Sequence, residues 1–80
     1  MNSPINNASD LGKLIRFSRK QAGLTQHTAA GLCNVSVPFF NAIENGKATA
    51  QIDKVLHVCR QLGIRLEAIT AEPNPPEQPL

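Results

Sequence analysis

"LTQHTAAGLCNVSVPFFNAIENG", residues 24–46, reads as two short helices separated by a tight turn. Thr25 stands where a hydroxyl caps the first helix, and Ala29, Ala30 and Cys33 follow as a narrow apolar stripe. Small side chains in that stripe imply close approach of another helix. Asn34 falls where a left-handed residue would end the helix. Only Asn34, Val35 and Ser36 lie between the two helices. In the second, Ser36 is the cap, Pro38 occupies the first turn where its missing N–H costs nothing, and Gly46 is the stop. Gly31, inside the first helix, costs about 1 kcal/mol relative to Ala, and the sequence offers no account of it.

Upstream, "SDLGKLIRFSRKQAG" (residues 9–23) predicts a helix capped by Ser9 or Asp10. Leu11, Leu14, Ile15, Ser18 and Ala22 recur at helical spacing, and Gly23 stops it after Arg19 and Lys20. Downstream, "TAQIDKVLHVCRQLG" (residues 49–63) predicts a helix capped by Thr49 and stopped by Gly63, with Ile52, Val55, Leu56, Cys59 and Leu62 as a wide apolar face. In "IRLEAIT", residues 64–70, the period changes to two, which predicts a strand. A lone strand needs a partner, and a second copy of the chain would supply one. Residues 1–8 form a polar, flexible arm, and residues 71–80, with four prolines, an acidic mobile tail. Two short helices joined by three or four residues, the first with a small-residue face, describe a helix-turn-helix, here over residues 9–63.

Composition narrows the function classes. Eighty residues allow one small domain, often completed by dimerisation. The hydrophobic content of 41% suits a globular core. No run approaches a membrane span, and "MNSPINNASD" does not read as a signal peptide, so a cytoplasmic protein is expected. The net charge of +2 hides an asymmetry: residues 1–66 carry all eight Lys and Arg against three acids, whereas residues 67–80 carry three Glu and no base. A basic body favours a polyanion as partner. Cys33, Cys59, His27 and His57 lack metal-ligand spacing, so structural thiols and solvated histidines are expected, with no metal and no cofactor. No phosphate loop, carboxylate pair or activated nucleophile argues for an enzyme, and no catalytic residue is assigned.

"GLTQ", Ala30, "VS" and "IENGK" together resemble the Xre/Cro family of phage-repressor-like helix-turn-helix regulators. The extension "QIDKVLHVCRQLGIRLEAI" resembles its HipB-type antitoxin branch. The resemblance implies an all-α domain of four to five helices, with a short C-terminal β-strand pairing across a homodimer through Ile64, Leu66 and Ala68. It implies a DNA-binding repressor of its own operon that also binds a HipA-like kinase toxin. It further implies a structural ion pair between Arg19 and Glu44, and phosphate contacts from Thr25, Gln26, Asn45 and Lys47.

In the family the residues after the Ser36 cap face the major groove. Helical spacing from Phe40 and Ile43 then turns Val37, Pro38 and Asn41 outward, with Ala42 nearer the edge. Ser36, Val37, Pro38, Asn41 and Ala42 form the base-reading set. Asn can bond adenine N6 and N7 together, and small apolar groups can meet a thymine methyl. So spare a set fits a dimer on a palindromic operator, with recognition helices about 34 Å apart. Phe39 either supports Pro38, touches a thymine methyl or packs beneath the first helix of the motif. Phe17 and Phe39 near one surface would suit a protein interface. Two rivals stay open: a free-standing Xre-type repressor, and a helix-turn-helix interaction module without DNA binding.

Overall fold

The structure is a computed structural model that describes residues 2–71. Four helices follow in order: α1 (Ala8–Gln21), α2 (Gln26–Cys33), α3 (Val37–Glu44) and α4 (Ile52–Gln61). α1 packs on α3, and α2 lies against both α3 and α4. The core at their meeting point is Ile15, Ala29, Ala30, Cys33, Phe40, Ile43, Val55, Val58 and Cys59. Two alanines and two cysteines in that set allow α2 to sit close to its neighbours. Both thiols are free, and burial pushes each above its ordinary pKa, as inert packing groups require.

Every helix ends in the same way. At Gly23, Asn34, Gly46 and Gly63 the backbone turns to positive φ. In each case that residue's N–H donates back three residues, and the next residue's N–H donates back five. Val35 donates to the Ala30 carbonyl at 3.0 Å and Ile64 to that of Cys59 at 2.9 Å. These are Schellman stops, in which the last free carbonyls of the helix find partners without solvent.

Helix starts depart more from the sequence expectation. Thr25 and Ser36 cap α2 and α3, accepting the N–H of Thr28 and Phe39 at 3.1 Å each. α1, however, is capped by Asn7 and not by Ser9 or Asp10. Asn7 Oδ1 accepts the Asp10 N–H at 2.8 Å, while the Asp10 carboxylate accepts the N–H of Asn6 at 3.0 Å. α4 begins after Gln51, which makes no side-chain cap bond, so Thr49 is not its cap. Ala50 packs on the core, and the chain turns into the helix only beyond it.

The buried stripe of α4 is also rotated from expectation. Val55, Val58 and Cys59 are buried, but Ile52 is 64% exposed and Leu56 lies at the surface. Ala22, at the end of α1, is exposed as well. Residues 64–70 are not a strand, and no strand occurs among the described residues. A strand is held by hydrogen bonds to a neighbouring strand, and the described residues provide none. Ile64 packs on the core, Leu66 and Ala68 are exposed, and Arg65 pairs with Glu67 on the surface at 3.1 Å. The expected acidic tail lies, apart from Ala71, outside the described residues.

Two glycines have opposite roles. A Cβ on Gly12 would lie 2.7 Å from the Glu44 carbonyl oxygen and against that of Ile43, so only glycine lets α1 approach the end of α3. Around Gly31 there is open space. Gly12→Ala is therefore expected to destabilise the fold by about 1–3 kcal/mol. Gly31→Ala should stabilise it by about 0.5–1 kcal/mol. Urea midpoints of the two variants check both signs.

A buried ion pair fixes the same junction. Arg19 Nε donates to Glu44 Oε2 at 2.6 Å and Nη2 to Oε1 at 3.1 Å, while Nη1 donates to the Leu24 carbonyl at 2.8 Å. Both residues are less than a tenth exposed. Glu44→Ala would strand the guanidinium and is expected to cost about 3–5 kcal/mol. Arg19→Met combined with Glu44→Leu should recover most of that loss, because no charge is left buried. Denaturation of the single and double variants measures the difference.

Candidate nucleic-acid interface

α2 and α3 are joined by a three-residue turn, and the outer side of α3 is where the proposed reading residues stand. Ser36 is exposed with its hydroxyl committed to the cap. Pro38 and Asn41 are exposed, and Ala42 is half-buried at the edge. Val37 does not project freely, since it is half-buried and packs on the core cluster. Phe39 does the same, and the Lys54 ammonium lies 5.9 Å from its ring centroid, over its outer face. Phe40 is wholly buried. The apolar opening of α3 is thus mostly spent inward, and Pro38 with Asn41 remain on the outer surface.

The flanking polar residues are at the ends of the two helices. Thr25 Oγ1, besides capping α2, bonds the Thr28 hydroxyl at 3.1 Å. Lys47 is exposed just past the α3 stop, where its N–H donates to the Ala42 carbonyl at 3.0 Å. Asn45 is exposed, and its Nδ2 donates to the Asn41 backbone carbonyl at 3.0 Å and to Asn41 Oδ1 at 3.1 Å.

Gln26 is the surprise of the site. Its Nε2 donates to Glu44 Oε1 at 2.8 Å, and its Oε1 accepts from Asn41 Nδ2 at 3.2 Å. One hydrogen-bonded line therefore runs from the buried Arg19–Glu44 pair through Gln26 and Asn41 to Asn45. The sequence marks "TQ" as the start of α2, but residues 26 and 44 are 18 apart and only the fold shows that they meet. Lys54 over Phe39 was likewise invisible in the helical pattern.

Among the described residues no group of His, Cys, Asp or Glu is placed to hold a metal, and no helix is long and apolar enough to cross a membrane. What the surface offers is a small amide-bearing face edged by hydroxyl, amide and ammonium donors. Such donors suit phosphate oxygens, and an amide suits a base edge.

Known proteins share the fold and, in part, the sequence. Residues 10–70 match the family described as helix-turn-helix domain. The chain is 40% identical over 65 residues to an uncharacterized HTH-type transcriptional regulator, y4mF, of Sinorhizobium fredii; the match covers 81% of this chain and 86% of that one. Among solved structures, HipB in a HipB(S29A)–O2 20mer complex superposes with a TM-score of 0.79 at 17% identity, covering 90% of this chain and all of that one. A chain of a HipA–HipB–O2–O3 complex gives 0.78 at 15%, covering 89% of this chain and all of that one. The fold is that of HipB, and the chain belongs to the helix-turn-helix family of transcriptional regulators, which are DNA-binding proteins and not enzymes.

Proposed function

We propose that this protein is a sequence-specific repressor acting as a homodimer on a palindromic operator, and that it is the antitoxin of a HipBA-like operon. In this reading it represses its own operon in the cytoplasm and also binds a HipA-like kinase toxin. The observation that carries the DNA-binding part is the exposed Pro38–Asn41 face, with Thr25, Asn45 and Lys47 at its edges. Pro38 meets a thymine methyl, Asn41 an adenine edge, and Ser36 and Ala42 flank them. Thr25, Gln26, Asn45 and Lys47 hold the sugar-phosphate edge, Gln26 chiefly through the start of α2.

Dimerisation is assigned to residues 64–70. Ile64 is anchored on the core, but Leu66 is exposed and Ile69 is 95% exposed. Leu56, Leu66 and Ile64 line a groove beside the end of α4, and a second apolar groove lies between residues 63–69 and α1, where Phe17 is half-exposed. Such surface on so small a chain favours a second copy, which sets two α3 helices about 34 Å apart. The antitoxin role is supported by the likeness in fold to HipB, one of whose solved structures is a complex with HipA. The composition of residues 67–80, three Glu and no base, adds to that support, since it gives a toxin a charge opposite to that of the basic body.

The expected outcome is a gel shift with the DNA upstream of its own operon. A dimer making about six to ten phosphate contacts should lose about a thousandfold or more in affinity between 50 and 200 mM salt. Deleting residues 64–80 should yield a monomer in sedimentation that leaves no footprint. Full-length protein with no shift at either salt, or a truncated chain that stays dimeric, refutes the corresponding part.

A further inference from the structure

We propose that Gln26 is a positioning residue that fixes which way round Asn41 presents its amide, and that the buried Arg19–Glu44 pair sets this polarity. The inference rests on the assignment of Asn41 as a base contact. It starts from the one group in the line that has no choice. Held by the Arg19 guanidinium, the Glu44 carboxylate offers acceptors only. Its Oε1 takes an N–H from Gln26 Nε2 at 2.8 Å, and this turns Gln26 Oε1 toward α3. That oxygen also only accepts, so Asn41 meets it with Nδ2, at 3.2 Å. Asn41 Oδ1 is left to accept from Asn45 Nδ2 at 3.1 Å. Donation therefore runs one way, from Asn45 to Asn41 to Gln26 to Glu44.

An amide group is nearly symmetric in shape, so its oxygen and nitrogen exchange places at little steric cost; only hydrogen bonds tell them apart. A free Asn on an exposed helix face would sample both orders. Here the carboxylate, buried beneath α2, selects one. Beyond the relay Asn41 keeps one N–H and spare acceptor capacity on its oxygen, the complement of adenine N7 and N6. With their order settled before contact, the amide loses less freedom on binding and one orientation of the base pair is preferred. The amide of Gln26 itself is engaged at both ends, which sets it apart from a side chain waiting for a phosphate.

The experiment compares wild type, Asn41→Ala, Gln26→Met and the double variant in selections from a randomised duplex pool. Gln26→Met keeps the length of the side chain and removes its hydrogen bonds; Gln26→Ala serves if that variant fails to fold. Wild type should favour adenine at one position of each half-site by about fivefold to a hundredfold. Asn41→Ala and Gln26→Met should each lose that preference at the same position, and the double variant should lose nothing more. In the DNA-free protein, nitrogen-15 spectra should show the Asn41 side-chain amide shifting and exchanging faster when Gln26 is replaced. A Gln26→Met protein that binds every sequence more weakly but keeps the adenine preference overturns the proposal and leaves Gln26 a phosphate contact alone. An Asn41 amide resonance indifferent to Gln26 overturns it without reference to DNA. Wild-type protein that selects no sequence, while its Asn41 amide still responds to Gln26, instead sinks the base-contact assignment, and the positioning role falls with it.

Discussion

Three helices meet at the carboxylate of Glu44. Arg19 reaches it from α1, Gln26 from the start of α2, and Glu44 itself belongs to the last turn of α3. The same guanidinium also holds the Leu24 carbonyl in the loop between α1 and α2. Taking two charges out of water costs several kcal/mol each, and only good geometry with full hydrogen bonding offsets it. That condition is met: among the described residues no buried side-chain nitrogen or oxygen lacks a partner. The apolar contacts around α2 are made by Ala29, Ala30 and Cys33, which give close approach but little direction. Hydrogen bonds have direction, so the bond from Gln26 to Glu44 adds between α2 and α3 an orientation that these small apolar contacts lack.

What the sequence discloses follows from how local each cause is. The four helix stops were legible because a glycine or asparagine followed by a chain reversal satisfies its own carbonyls within six residues. The caps at Thr25 and Ser36 were legible for the same reason. Asn7 was missed because Asn7, Ser9 and Asp10, all within four residues, can each cap, and the choice goes with the bond that the Asn6 N–H donates back to the Asp10 carboxylate. Periodicity identified α4 but not its orientation. Ile52 and Leu56 fit the apolar face as well as Val58 does, and only the position of α2 decides which of them is covered. Gly12 carries no local sign at all, for its reason is two carbonyls some thirty residues away.

The C-terminal segment shows the same limit from the other side. Alternation in "IRLEAIT" is a statement about two faces, and a strand is a statement about a neighbour. The chain satisfies the first with Ile64 inward and Arg65 paired to Glu67 outward, and lacks the second. Phe17, Ile52, Leu56, Leu66 and Ile69 are exposed beside a core of nine residues, so much of the apolar content lies outside it. Small domains commonly add burial by association, and these side chains are the surface that the proposed dimer would cover.

Val-Pro-Phe-Phe at the start of α3 can now be understood as a consequence of the same economy. Val37 and Phe39 are half-buried against the core, Phe40 is fully buried, and Lys54 covers the outer side of the Phe39 ring. A helix of eight residues that anchors itself with three of its first four side chains has few left for the base-reading role proposed for it. Its outward polar group is Asn41, and a single amide distinguishes bases only if its two ends are told apart. The buried charge pair, costly by itself, is connected to that amide through Gln26. An apolar helix start and an ordered polar relay are therefore complementary: the first holds α3 in place, and the second gives its one exposed amide a direction.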